Sequence, residues 1–154
     1  MAPSLGDVGI FLPLVIGIGV TLCTVVIHAL AVITVVHVLR HERRLGRAGA
    51  GFWRDVIIAA ETIMLALGAH LIEIAAWAVV FTLCGEFSRF AAAFYHSAVN
   101  YTSLGYGDVV MSASWKLLGP LETADGMLMF GVSTAMLFAL VLRLLETRFR
   151  DLNS

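Results

Sequence analysis

The sequence predicts an all-α membrane protein, with three transmembrane helices and one shorter re-entrant segment in each chain. Composition is the first reason: the 154 residues are 60% hydrophobic and 14% charged, with a mean hydropathy of +0.92. A soluble domain has roughly 45–50% apolar and about 25% charged residues. Size is the second, because surface-to-volume scaling leaves most side chains of so short a chain near its surface, where this much apolar material cannot be hidden. The third is blocking: the apolar residues fall into three runs, each long enough to supply the ~20 residues that cross a hydrocarbon core of about 30 Å. A secreted enzyme, a soluble binding module and a disordered tail are excluded.

The first run extends from about Val8 to Leu39, interrupted by His28, His37 and scattered Gly, Pro and Thr. It exceeds one perpendicular span, so it tilts or projects beyond the core. The second runs from about Val56 to Cys84 and the third from about Leu117 to Leu145. Between them, Phe87 to Val99 is apolar but too short to cross, and glycine-rich chain follows it, the pattern of a re-entrant segment. Arg40, Arg43, Arg44, Arg47 and Arg54 surround the first connection, and Arg143, Arg148 and Arg150 follow the last span. These two ends share a side if there are three crossings, and the positive-inside rule makes that side cytoplasmic. The N-terminus, with no Lys or Arg before Arg40, is then outside, as is the loop carrying Arg89 and Lys116. A cleaved signal peptide is not expected, since a charged start is missing and the apolar run is too long. The chain divides into a first helix with its basic loop (1–54), a two-helix module holding the re-entrant segment (55–147) and a short cytoplasmic tail (148–154). No internal repeat is visible.

The net charge of −1 offers no basic face for nucleic acid. Cys23 and Cys84 lack metal-ligand spacing and read as buried small hydrophobes. No nucleophile elbow, phosphate loop or zinc spacing is present, so an enzyme is not expected.

The informative stretch is Tyr101-Thr102-Ser103-Leu104-Gly105-Tyr106-Gly107-Asp108. Two glycines flanking a tyrosine allow backbone angles that other residues resist. Irregular backbone at membrane depth is tolerated only where it is buried in protein or lines a watery path. Ser103 to Asp108 resembles the potassium-channel signature T-V-G-Y-G-D, with Ser for Thr and Leu for Val. It stands between a segment of pore-helix length and a final span, as in that family. Trp115, seven residues after Asp108, and Gly126-Met-Leu-Met-Phe-Gly131-Val-Ser-Thr134 are similar to the inner helix of simple bacterial potassium channels. The resemblance covers about Val56 to Leu145, the two-helix pore module, and leaves the first helix as an addition. Val99 departs from the pattern where some members carry a buried Glu, as do Tyr95 and His96 where an aromatic pair is usual.

The resemblance implies a homotetrameric pore in the bacterial inner membrane, with membrane lipids as its surroundings. It conducts K⁺, and K⁺ ions in the filter are the only bound species expected; no cofactor is. The carbonyls of Ser103, Leu104, Gly105, Tyr106 and Gly107 would hold K⁺ in place of its hydration shell. Asp108, Tyr95, His96 and Asn100 would support that filter. Gly126 and Gly131 are candidate hinges, and Thr134, Phe138 and Val141, at i, i+4 and i+7, would line the inner pore. Leu104 and the missing Glu make a weakly selective cation channel the alternative; a non-conducting partner or sensor subunit is the other. No span carries the arginine series of a voltage sensor, so gating is expected to be leak-like or modulated by pH or lipid.

Ionisable groups inside spans mark function or an internal polar network. The second span holds Glu61, His70 and Glu73, and the third holds Glu122 and Asp125; His70/Glu73 and Glu122/Asp125 are i, i+3 pairs on one face. With Tyr95, His96 or Asn100, these acids are expected to form a network behind the filter, the alternative being that each snorkels or binds a water. Glu61 should reach the cytoplasmic interface or an Arg. His28, a lone histidine mid-span, reads as a hydrogen-bonded packing residue; a transmembrane haem would need two facing histidines, such as His28 and His70, and nothing in the spacing singles that pair out. His70-Leu-Ile-Glu73 resembles one half of a di-metal motif, present in a single copy.

Overall fold

The computed structural model describes residues 9–47 and 51–151. Val8, where the first apolar run starts, and tail residues 152–154 lie outside the described residues, as does the Arg150 side chain. Four helices follow in order: α1 (Phe11–Arg44), α2 (Phe52–Leu83), α3 (Phe90–Tyr101) and α4 (Leu118–Asp151). Three of them, α1, α2 and Leu118–Arg148 of α4, are long and apolar enough to cross a membrane. The 12-residue α3 is the expected short segment. The fold is that of an all-α membrane protein, with no strand among the described residues.

The helix ends follow from local chemistry. At α2, Gly85 takes a left-handed φ of +77°, its N–H donates to the Thr82 carbonyl, and the Glu86 N–H donates to that of Phe81. Gly46, at φ +66°, ends α1 the same way, with Gly46 and Arg47 donating to the carbonyls of Arg43 and Glu42. Both are Schellman closures, in which a glycine supplies the conformation that an L-residue resists. Where α1 turns into α2, Arg54 donates to Glu42 at 2.5 Å. Glu61, by contrast, is exposed on α2.

The packing centre is α2, whose Trp77, Ala78 and Phe81 are fully buried with Ala93 and Tyr101 of α3 and Leu118 of α4. α1 covers this centre through a narrow seam, Gly17, Val20, Thr24 and His28, while most of its surface stays exposed. Gly17 lets α1 and α4 approach closely: a Cβ there would sit 2.5 Å from Cδ1 of Leu121. Both cysteines carry free thiols; Cys84 is half-buried, and Cys23 is exposed on α1 rather than buried as expected. A helix facing lipid is as apolar outside as in its seam, so composition did not distinguish the two faces.

Candidate functional site

Beyond α3 the backbone adopts an unusual alternation. Ser103, Gly105 and Gly107 have φ of +59°, +58° and +71°, while Leu104 and Tyr106 between them do not enter the left-handed region. Left-handed residues at every second position turn successive peptide units alike, gathering N–H groups on one side and carbonyls on the other. The N–H side is tied back to α3: Ser103 donates to the Asn100 carbonyl at 2.9 Å, Leu104 to Val99 at 2.9 Å and Gly105 to Val99 at 3.3 Å. The opposite carbonyl edge is left for another partner. The whole 103–108 segment is exposed on the single chain, Leu104 and Tyr106 included.

Several contacts hold this segment. The Tyr95 hydroxyl donates to Asp108 Oδ2 at 2.8 Å, and that bond, with the nearby negative charge, holds the phenol above its usual range, so it remains a donor. Tyr95→Phe should therefore loosen the 103–108 segment and speed its amide hydrogen exchange severalfold, since one such bond is worth about 0.5–1.5 kcal/mol; unaltered exchange would remove Tyr95 from the support. His96 Nε2 lies 2.9 Å from Asn100 Nδ2, and its ring also bonds to the Val109 backbone. Burial holds this imidazole below its usual value, which suits a neutral ring that accepts from the Asn100 amide. On the far side, Gly119, Thr123 and Gly126 of α4, spaced i, i+4 and i+7, cradle the end of α3. Thr123 Oγ1 donates to the Asn100 carbonyl at 3.0 Å, and a Cβ on Gly126 would overlap the Tyr101 carbonyl oxygen.

The buried acids do meet polar partners, though not all those expected. Glu122 is fully buried and bonds to Ser97 and Asn100 of α3; the Ser97 hydroxyl, with one proton to give, also lies 2.8 Å from the Ile74 carbonyl. An acid from α4 thus reaches the back of α3, where position 99 offers only Val. Asp125 Oδ2 accepts from Trp77 Nε1 at 2.8 Å and from Thr24 at 2.7 Å. Glu73 accepts from Tyr101, with His28 Nδ1 at 2.9 Å from Oε1 and His70 Nδ1 at 3.2 Å from Oε2. Tyr95 takes no part in this cluster, being engaged with Asp108. Thr24, Trp77, Ser97, Tyr101 and Ser133 join it unannounced, and His28 finds its partners here. His28 is buried and hydrogen-bonded, as expected, and its ring lies 5.2 Å from that of His70. Both rings share one hydroxyl, Ser133 Oγ, at 3.2 and 3.0 Å, which leaves no slot for a porphyrin between them. The i, i+4 spacing of Thr24 and His28 on one apolar helix was the available signal.

Residues 69–143 match the family model of ion channels. The match supports an ion channel. No curated protein and no solved structure matches the chain. Within this ion-channel segment α4 presents two faces. Ser133 and Leu140 point inward, whereas Gly131, Thr134, Phe138 and Val141 are exposed on the single chain. The predicted lining residues and Gly131 are thus free for contacts or water outside the chain's own packing.

Proposed function

We propose that the protein is a potassium-selective channel, in which four chains surround one axis and each contributes Ser103–Gly107 to the filter. The left-handed alternation at Ser103, Gly105 and Gly107 carries the reading, since it leaves a run of carbonyls on the edge opposite the bonded N–H groups. A ring of such carbonyls replaces the hydration shell of K⁺, and Ser103 adds a hydroxyl at the inner end. Cyclic symmetry closes the ring and covers Leu104 and Tyr106, which one chain leaves exposed. The protein sits in a bacterial inner membrane with its N-terminus outside, and its activity is leak-like, modulated by pH or lipid.

Reversal potentials of the purified protein in planar bilayers, with K⁺ opposed to Na⁺, test selectivity, and its native mass in detergent tests the tetramer. A potential near that of K⁺ and a mass of four chains are expected. A potential near zero favours a weakly selective cation pore, and no current in several lipids and pH values favours a non-conducting subunit. The inner cavity has its own test. If Phe138 forms a hydrophobic constriction that gates by dewetting, Phe138→Ala raises open probability or conductance severalfold; wild-type records from that variant would take Phe138 off the pore wall.

A further inference from the structure

We propose that His28, His70 and Glu73 form a binding site for a transition-metal ion of the Zn²⁺ class, which fastens α1 to the ion-channel segment. The three residues are buried, and each offers a ligand atom within 4.8 Å of the others. Two imidazoles and a carboxylate are a borderline-soft nitrogen and oxygen set, suited to Zn²⁺ and its neighbours rather than to K⁺, Mg²⁺ or Ca²⁺. Donors about 2.0–2.1 Å from a tetrahedral zinc lie about 3.3 Å from one another. The separations here are 2.9 Å for His28 Nδ1 to Glu73 Oε1 and 3.2 Å for His70 Nδ1 to Glu73 Oε2, with the Tyr101 hydroxyl also 3.2 Å from His70 Nδ1. Tyr101 is therefore placed to provide the fourth ligand or to brace the Glu73 carboxylate.

Proton counting is compatible with a bound metal. Both rings turn Nδ1 toward Glu73 and Nε2 toward Ser133 Oγ. If both were neutral and donated Nδ1–H to Glu73, two Nε2 lone pairs would face one hydroxyl that has a single proton, and a buried acceptor would go unpaired. With a metal on both Nδ1 atoms, both Nε2–H groups donate to the two lone pairs of Ser133. This is the outer-shell pattern of metal-bound histidine, in which the second ring nitrogen donates to an oxygen. Charge agrees: Zn²⁺ with Glu73 leaves one positive charge, and Asp125 lies within electrostatic reach of both Glu73 and His28. The competing metal-free arrangement gives the rings different tautomers: His28 donates Nδ1–H to Glu73 and accepts from Ser133 at Nε2, while His70 donates Nε2–H to Ser133 Oγ and accepts from the Tyr101 hydroxyl at Nδ1. The site does not depend on potassium selectivity.

The experiment uses the full chain in detergent at neutral pH, stripped with a chelator, equilibrated with micromolar Zn²⁺ or Co²⁺ and passed through gel filtration. One Zn²⁺ per chain is expected to remain bound, Co²⁺ to give the intense visible bands of tetrahedral coordination, and the thermal midpoint to rise by several degrees over the chelated sample. His70→Asn and Glu73→Gln should lose all three signals, while His41→Asn, an exposed histidine of α1, keeps them. Background zinc in the wild type, a spectrum of hydrated octahedral Co²⁺, or undiminished binding in well-folded His70→Asn overturns the site and leaves the hydrogen-bonded pair of tautomers. Should the buried variants fail to fold, the wild-type stoichiometry, spectrum and thermal shift decide alone.

Discussion

Gly105→Ala is expected to abolish the preference for K⁺ over Na⁺ while leaving the helices folded. Gly105 holds φ +58°, and a Cβ built on it meets nothing within 4 Å in its own chain, so the cost is conformational rather than a collision inside the chain. That cost is about 1 kcal/mol or more per residue for an L-side chain. Four chains around one axis multiply it to about 4 kcal/mol, roughly a thousandfold against the ordered ring. The segment then relaxes toward ordinary angles, and alternate carbonyls leave the axis. K⁺ and Na⁺ uptake by liposomes, compared for wild type, Gly105→Ala and Tyr106→Ala, reads this directly. A Gly105→Ala channel that selects like wild type means that the filter lies elsewhere.

Gly126→Ala should have the largest effect on assembly and stability, for a different reason. Its Cβ would occupy the place of the Tyr101 carbonyl oxygen, a backbone atom at the root of the 103–107 segment that cannot rotate aside. Either α4 or α3 must shift, and overpacking of this kind costs about 1–3 kcal/mol per chain. The expected result is a thermal midpoint lower by several degrees and loss of K⁺ flux. Gly131 provides the contrast: nothing lies within 4 Å of a Cβ there, so Gly131→Ala should fold at least as well, by up to about 1 kcal/mol from helix propensity. If Gly131 is the hinge, that variant changes opening without changing stability. Equal midpoints for the two variants would refute the close-approach role of Gly126.

The contrast shows what the sequence made legible. Three spans and a short α3 were readable because apolar length is a local property, and α2 ends where Gly85 permits. The 103–108 segment was readable as a motif, with its glycines at two of the three left-handed positions; Ser103, the third, was not foreseeable from residue type. Glycine on a helix serves bending or close approach, and only the Tyr101 carbonyl reveals which applies to Gly126. The polar cluster was half legible. Its acids stand out in an apolar chain, but Thr24 and Asp125 lie 101 residues apart and His28 and Ser133 105 apart. Such pairings depend on how α1 is rotated against α2 and α4, and the uniformly apolar surface of α1 carries little trace of that rotation.

The seam on α1 also bears on how the chain is built into a bilayer. An acidic residue at the centre of an inserting helix costs about 2.5–3.5 kcal/mol on the translocon scale. α1 is the most apolar of the three spans, with a window hydropathy of 2.4 against 2.0 for α2. It leaves the ribosome before α2 and α4 and carries the milder burdens, a threonine and a histidine. α2 follows with Glu73, and His28 is already in place to receive it. Asp125 arrives last, when Thr24 and Trp77 both stand waiting. The polar stripe of α1 is thus synthesised before either acid that it meets, so each later helix finds its hydrogen-bonding partner already made.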